Sequence, residues 1–500
     1  MTQHGQWGRD VRMRGFARRT TVADALKWLD GQTARLEEET VPLGQAAGRV
    51  LTQEIVSHVD VPAFARSMMD GFALRAADTL GASPYNRLAL DVVGESLPGR
   101  PFLGDVPPGK AVRIMTGAPL PAGADAVLPA ELVEAEGDRI LAQGEVSPGK
   151  HVGRVGEDIA AGTVVLKAGR VLRPQDVGVL ASIGAGEVAV VRRPRVRIVV
   201  TGNELLPAVG SGQWAVDSGQ CAVDSAQAAG DVHSPLSTLH SPLHYKIVDS
   251  NGPMLAALVE RDGGVALNPG IVPDQPEAIL EAMRCEEGAG GRSQGAGGRS
   301  QGSGVGGQGA GDRGSLLSTL NPQPSTFNPP LSTIHYPLST PSEADVVLVS
   351  GGSSVGQEDH APTLLAEHGE LSIHGIAMRP SSPTGMGRLD GRLVLLLPGN
   401  PVSCLCAYDF FAGRAIRVLG GRPADWPYRR VVRPLARKIV STVGRLDYVR
   451  VCLVEGRVEP LAIAGASVLS STTRAHGFVL VRPDSEGYPP GAEVEVFLYD

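Results

Sequence analysis

Five hundred residues exceed what one hydrophobic core can serve, so about three or four domains are expected. The chain is 42% hydrophobic and 20% charged, and Lys+Arg 46 against Asp+Glu 53 leaves a net charge of −7. That balance argues against nucleic acid as a partner, and no apolar run approaches bilayer length, so no membrane span is expected.

The N-terminus carries Arg9, Arg12, Arg14, Arg18 and Arg19 with no apolar stretch behind them. Residues 1–19 therefore read as a disordered leader and not as a signal peptide. Thr21 and Asp24 resemble a capping box ahead of a helix with Ala25, Leu26, Trp28 and Leu29 on its apolar face. Leu43 to Leu51 places Ala46, Ala47, Val50 and Leu51 at helical spacing. Pro62 to Ala73 reads as a loop entering a strand at Gly71 to Leu74. Short β-prone runs follow, cut by Gly and Pro, which is the pattern of a small β-domain over residues 63–157. Pro174 to Ile183 is a helix that starts on Pro and ends before Gly184. It is expected to pack back on the N-terminal elements, making residues 20–62 and 158–193 a small discontinuous helical and β domain.

Residues 194–424 read as a central α/β domain on a parallel sheet. Val196 to Val200 leads into Thr201-Gly202-Asn203-Glu204, the apolar run to Ser350 leads into Gly351-Gly352, and Leu393 to Leu397 leads into Pro398-Gly399-Asn400-Pro401. In such sheets these loops gather at the carboxyl ends of the strands, where ligands bind. Two low-complexity inserts interrupt the domain, at residues 214–245 and 286–342, sharing the phrase Pro-Leu-Ser-Thr. Residues 425–500 alternate as a C-terminal β-barrel or sandwich would. The five cysteines, Cys221, Cys285, Cys404, Cys406 and Cys452, are an odd, scattered set. They give no disulfide framework, and a cytoplasmic chain is expected.

The chemistry is weighed between two sites. Gly352-Ser353-Ser354-Val355-Gly356 matches the nucleophile elbow of a serine hydrolase, with Ser354 as nucleophile, but residues 357–361 intervene before the helix opens at Pro362. The stronger reading is a phosphate and oxyanion site. Gly351, Gly352 and Gly356 present bare N–H groups. Glu204, Asp274 and Asp359 each follow a strand or turn, where they could share Mg²⁺ with phosphate oxygens. Asn400-Pro401-Val402-Ser403 opens a helix toward an anion. Ser67, Asp70 and Thr116 lie in turns that serve either local geometry or a ligand.

Several motifs occur in one order: Pro62 to Ala73, Ile114 to Val127 (with Thr116-Gly117-Ala118-Pro119), Gly156-Glu157-Asp158, Thr201 to Leu205, the Gly351 loop and Pro398 to Ser403. Together they resemble the molybdopterin molybdenumtransferase family, which includes MoeA and the gephyrin E-domain. The resemblance runs from about Thr20 to the C-terminus, inserts aside. It implies Mg²⁺-dependent insertion of molybdate into adenylylated molybdopterin with release of AMP. It also implies a homodimer of four-domain protomers and an upstream molybdopterin adenylyltransferase. Glu204, Asp274 and Asp359 would form the active site, and Ser67, Asp70 and Thr116 would face it from the partner protomer. Mg²⁺ and the loops would hold the pyrophosphate, while cationic groups and amides would hold molybdate. The chain departs from the family where Phe64-Ala65 lacks an acid and where Gln275 follows Asp274. It departs again where Met378-Arg379-Pro380-Ser381-Ser382-Pro383 replaces a lysine-bearing segment, leaving Arg379 as its cation. A scaffold protein that keeps the fold without turnover is the alternative from another class.

Overall fold

Arg195–Thr201, Val346–Ser350 and Arg392–Leu397 are the parallel centre of one sheet, and their apolar runs are buried almost throughout. The computed structural model describes residues 19–207, 246–284, 344–352, 359–462 and 468–499. Residues 1–18, both expected inserts, Cys221, Cys285, Ser354 and Gly356 lie outside them. The chain divides into two compact units, residues 1–32, 195–414 and 426–500 in one, and 33–194 and 415–425 in the other.

In the first unit, Val265–Leu267 pairs parallel with Arg195–Thr201 on one side of the central sheet. On the other side Gly385–Leu389 and then Glu370–His374 are added antiparallel. The sheet is therefore mixed, not wholly parallel as expected. Glycine makes the antiparallel edge possible, since a Cβ on Gly387 would lie 1.9 Å from the Glu370 carbonyl oxygen. Val200 is in register with Ser350, and Ser350 with Leu397, so three loops leave the sheet side by side. The helices Asn251–Arg261, Pro276–Arg284, Ala361–His368 and Pro401–Ala407 complete this layer. Ile279, Met283, Leu364 and Leu365 pack on the sheet's Val347, Val349 and Leu396.

The Val22–Gln32 helix begins as its sequence indicates. Thr21 Oγ1 accepts from the Asp24 N–H at 3.1 Å and donates to the Asp24 carboxylate at 2.7 Å. It belongs to this first unit, where Asp30 takes a two-pronged bond from Arg414 at 2.7 and 2.9 Å. The C-terminal strands run in the order Met378–Arg379, Leu446–Val454, Gly477–Val481, Glu493–Leu498, Arg430–Pro434, and Arg457–Ala462 also pairs with Leu446–Val454. Just past Arg430–Pro434, Ala436 N–H donates to the Val458 carbonyl on Arg457–Ala462 at 2.8 Å.

A π-helical turn, Tyr408–Ala412, follows Pro401–Ala407 and ties the two layers of this unit together. Phe410 meets Trp426 edge-on at 4.8 Å, and Trp426 meets Phe478 and Phe497 likewise at 5.5 and 5.0 Å. Beneath them Arg261, at the end of its helix, donates to Asp409 at 3.1 Å, Asp262 at 2.9 Å and the Tyr428 hydroxyl at 2.7 Å. Asp262 and Asp409 are fully buried.

The second unit holds a six-stranded sheet in the order Ala126–Pro129, Gly71–Leu74, Lys110–Ile114, Leu88–Ser96, Arg139–Ala142, Val133–Glu136. Beside it Glu38–Pro42 pairs antiparallel with Glu187–Val191, and the Pro174–Ser182 helix packs Leu180 against Ala46, Leu51 and Val190. Leu43 to Leu51 is not the expected helix. Leu43–Gln45 makes one 3₁₀ turn, Gly48 turns the backbone at φ 76°, and Val50 and Leu51 form bridges. The spacing of its apolar residues reports burial at a corner, which helical periodicity alone does not distinguish.

Candidate active site

The carboxyl ends of the three central strands open into one cavity of about 560 Å³. Of the residues singled out from the sequence, Glu204, Asp274, Asp359, Gly351, Gly352, Pro398, Gly399, Asn400 and Pro401 line it. Each arrives for a local reason. Gly351 sits at φ 101°, and a Cβ there would come within 2.3 Å of the Thr201 carbonyl, so only glycine lets these two loops meet. Gly399 lies against Gly351 in turn, with its Cβ position 3.5 Å from the Gly351 Cα. Asp359 stands just ahead of the Ala361–His368 helix, half-buried at the cavity wall.

Asp274 is committed to holding the Thr201–Glu204 loop. It accepts from the Thr201 hydroxyl and from the Asn203 N–H at 3.1 Å, and its own N–H donates to Asn203 Oδ1 at 3.2 Å. Lys246 Nζ donates to the Asn203 carbonyl at 2.5 Å, beside an exposed Glu204.

The lining residues not singled out from the sequence include Asp249 and Asn251. Asp249 Oδ1 accepts from the N–H groups of Asn251 and Gly252, both at 2.9 Å, and so caps the Asn251–Arg261 helix. Asn251 donates through Nδ2 to Ser350 Oγ at 3.0 Å and to the Gly399 carbonyl at 2.7 Å. An Asp shortly before a Gly-Pro helix start was the available signal, and it reads as a cap before it reads as a site.

Other candidates lie elsewhere. Arg379 does not line the cavity, because Met378–Arg379 is drawn into register with Leu446–Asp447 of the C-terminal sheet. Ser403 is buried in the first turn of its helix, where its carbonyl accepts from the Ser381 hydroxyl. Pro383 does reach the cavity. Ser67, Asp70 and Thr116 belong to the second unit. There the Thr116 N–H and hydroxyl both donate to Asp70 Oδ1 at 2.7 Å. Those two bonds, the backbone one first, hold the exposed Asp70 carboxyl below its usual range. Ser67, buried, donates its hydroxyl to the Met69 carbonyl at 2.5 Å.

The lining thus carries four carboxylates, Glu204, Asp249, Asp274 and Asp359, and no Lys or Arg among its described residues. Among the described residues no group of three or more His, Cys, Asp or Glu is close enough to hold a metal ion. Cys404 and Cys406 are buried in the Pro401–Ala407 helix, and burial pushes the Cys404 thiol up to about 12.

Comparison with known proteins places these elements in a wider group. The description "MoeA N-terminal region (domain I and II)" matches residues 20–184, "Probable molybdopterin binding domain" matches 197–292 and 332–417, and "MoeA C-terminal region (domain IV)" matches 432–499. The chain is 31% identical over 429 residues to molybdopterin molybdenumtransferase 2 of Mycobacterium tuberculosis, covering 83% of each. It is 28% identical over 458 residues to a putative molybdopterin biosynthesis protein of Methanocaldococcus jannaschii, covering 92% of this chain and 91% of that one. A solved molybdopterin biosynthesis moeA protein of Pyrococcus horikoshii superposes with a TM-score of 0.64 at 27% identity, covering 96% of this chain and 100% of that one.

Proposed function

The chain belongs to the molybdopterin molybdenumtransferase family, and from that premise we propose that its cavity inserts molybdate into adenylylated molybdopterin with release of AMP. It is a transferase of molybdenum cofactor biosynthesis. The observation that carries the assignment is the convergence of Glu204, Asp274 and Asp359 with two glycine-bearing loops on one 560 Å³ cavity, inside the stretch matched as a molybdopterin binding domain.

The cavity's charge shapes the mechanism. Four carboxylates repel a substrate rich in phosphate, so a cation has to accompany it. Carboxylate oxygens suit Mg²⁺, and Mg²⁺ is commonly held by one or two carboxylates together with substrate phosphates, not by an all-protein cage. In this proposal Glu204 and Asp359 hold the ion, which supplies positive charge to the phosphates. Asp274 keeps the Thr201–Glu204 loop in place. The backbone at Gly351 and Gly352 allows close approach of the substrate.

A homodimer, an upstream adenylyltransferase that supplies the adenylylated substrate, and a cytoplasmic setting complete the proposal. No helix among the described residues is long and apolar enough to cross a membrane. The relatives are named as transferases, which favours neither the Ser354 hydrolase nor the scaffold reading. Purified protein given adenylylated molybdopterin, Mg²⁺ and molybdate should release AMP in step with molybdate added. No release at any molybdate concentration would sink the assignment.

The missing lysine is open to a separate test. Among the described residues, Ser382 Oγ is buried without a hydrogen-bond partner, next to the cavity-lining Pro383. A unit charge pair at about 4 Å is worth roughly 1 kcal/mol in water and about 4 at an effective dielectric near 20. Ser382→Lys is therefore expected to tighten molybdate binding about tenfold, with the gain shrinking as salt rises. Calorimetry at two ionic strengths reads both. Equal affinity for variant and parent at low salt would show that cationic charge is not what limits this site.

A further inference from the structure

We propose that Asn251 is a positioning residue for the transfer, a single amide that sets the spacing of the two loops on which the substrate rests. The assignment depends on the transferase reading above. Asn251 is only 7% exposed, and its root is fixed because Asp249 holds its N–H and that of Gly252. From there Nδ2 spends one hydrogen on Ser350 Oγ, at the end of a central strand, and the other on the Gly399 carbonyl. Ser350 leads directly into Gly351, and Gly399 lies against Gly351. Three loops that come from distant parts of the chain are thus pinned through one side chain.

Among the described residues, Asn251 Oδ1 is buried and has no hydrogen-bond partner. Removing one partner of a buried hydrogen bond leaves the other unsatisfied, so loss of this amide strands the Gly399 carbonyl and Ser350 Oγ and lowers stability as well as shifting the loops. Leucine in its place cannot donate to Gly399 and Ser350 together. Misplacing one wall of a site by about 1 Å can cost on the order of a hundredfold in rate.

The test uses the full-length protein, AMP release as readout, and thermal melting beside it. Asn251→Leu is expected to lower kcat by about tenfold to a hundredfold. Its KM for molybdate should stay within about twofold, and because its melting temperature falls, the rates are read well below the melting transition. Asn251→Asp keeps the shape but loses the donors, and its carboxylate faces the Gly399 carbonyl. Burial and the neighbouring Asp249 raise the pKa of such a carboxyl. The other titratable neighbour, the Cys404 thiol, lies 3.7 Å from Ser350 Oγ and stays neutral, being pushed up to about 12. As pH falls from 8 toward 5 the neutral acid regains one donor, so kcat of Asn251→Asp relative to the parent is expected to rise, while that of Asn251→Leu does not. An Asn251→Leu enzyme with parental kcat, or an Asn251→Asp enzyme whose activity relative to the parent is independent of pH, overturns the assignment while leaving the transferase reading intact. A parent that releases no AMP overturns both.

Discussion

Asp359→Ala is expected to lower molybdate-dependent AMP release by at least about a hundredfold to a thousandfold, the loss typical when a preorganised charge-stabilising group is removed. The protein should melt at nearly the parental temperature. Two of the four lining carboxylates are poor choices for this experiment. Asp249 caps the Asn251–Arg261 helix and Asp274 holds the Thr201–Glu204 loop, so substitutions there mix folding with function. Asp359 stands at the start of the Ala361–His368 helix, whose packing is carried by Ala361, Leu364 and Leu365. Truncating a half-buried loop carboxylate removes charge from the cavity and leaves that core alone. Asp359→Asn keeps the shape, and an equal loss in both variants assigns the effect to charge. Parental turnover in Asp359→Ala would remove the residue from the mechanism.

Arg261→Met is expected to give the largest loss of stability, about 3–5 kcal/mol, because it leaves buried carboxylates without their cation. Arg261 sits over the Tyr428 ring at 5.2 Å and serves two fully buried acids, Asp262 and Asp409. Burial pulls its own pKa down, and the Asp409 and Asp262 carboxylates outweigh that, so it remains charged. Burial pushes Asp409 up to about 6, against the attraction of Arg261 and the hydrogen bonds from Arg261 and Tyr428. The two shifts point the same way because one cation is shared by two anions, and Asp409 also feels Asp262. Asp409 thus has a folded pKa above its unfolded value. Its contribution to stability is full below about pH 4 and is lost as pH rises through about 6. Without Arg261 the carboxyl is pushed higher still. The melting deficit of Arg261→Met should therefore be large at pH 7.5 and shrink toward pH 5. A deficit that is small, or equal at both pH values, would show that the guanidinium is held by packing and not by charge.

The sequence reveals the loops of the site more readily than what supports them. Glycine and proline mark the Gly351 and Pro398 loops because those backbones need what only these residues provide: φ 101° at Gly351, and an extended turn into a helix at Pro401. Carboxylates that follow strands stand out for the same reason. The buried Arg261 cluster was not legible, since Asp409 and Tyr428 lie 148 and 167 residues further along the chain. The antiparallel Gly385–Leu389 strand was hidden too. Its glycines argue against a strand by propensity, yet Gly387 is there because the Glu370 carbonyl leaves no room for a side chain. Asn251 escaped notice because its work is a pair of hydrogen bonds to Ser350 and Gly399, and neither partner is near it in sequence.

The register of the central sheet also gives the chain two unequal ports. Residues 285–343 join it between Arg284, whose carbonyl accepts from Arg392 at 3.1 Å, and Ala344, where the Val346–Ser350 strand begins. The cavity opens at the other end of that strand, about 13 Å away at the usual rise per residue. Residues 208–245 join it between Pro207 and Lys246, on the cavity side, next to the lysine that bonds the Asn203 carbonyl. Cargo attached at the far port, such as a dye, an affinity handle or a fused domain, meets the sheet where no chemistry is done. Cargo at the near port stands at the entrance. The same fold thus offers one place to carry added sequence away from the cavity and another beside it.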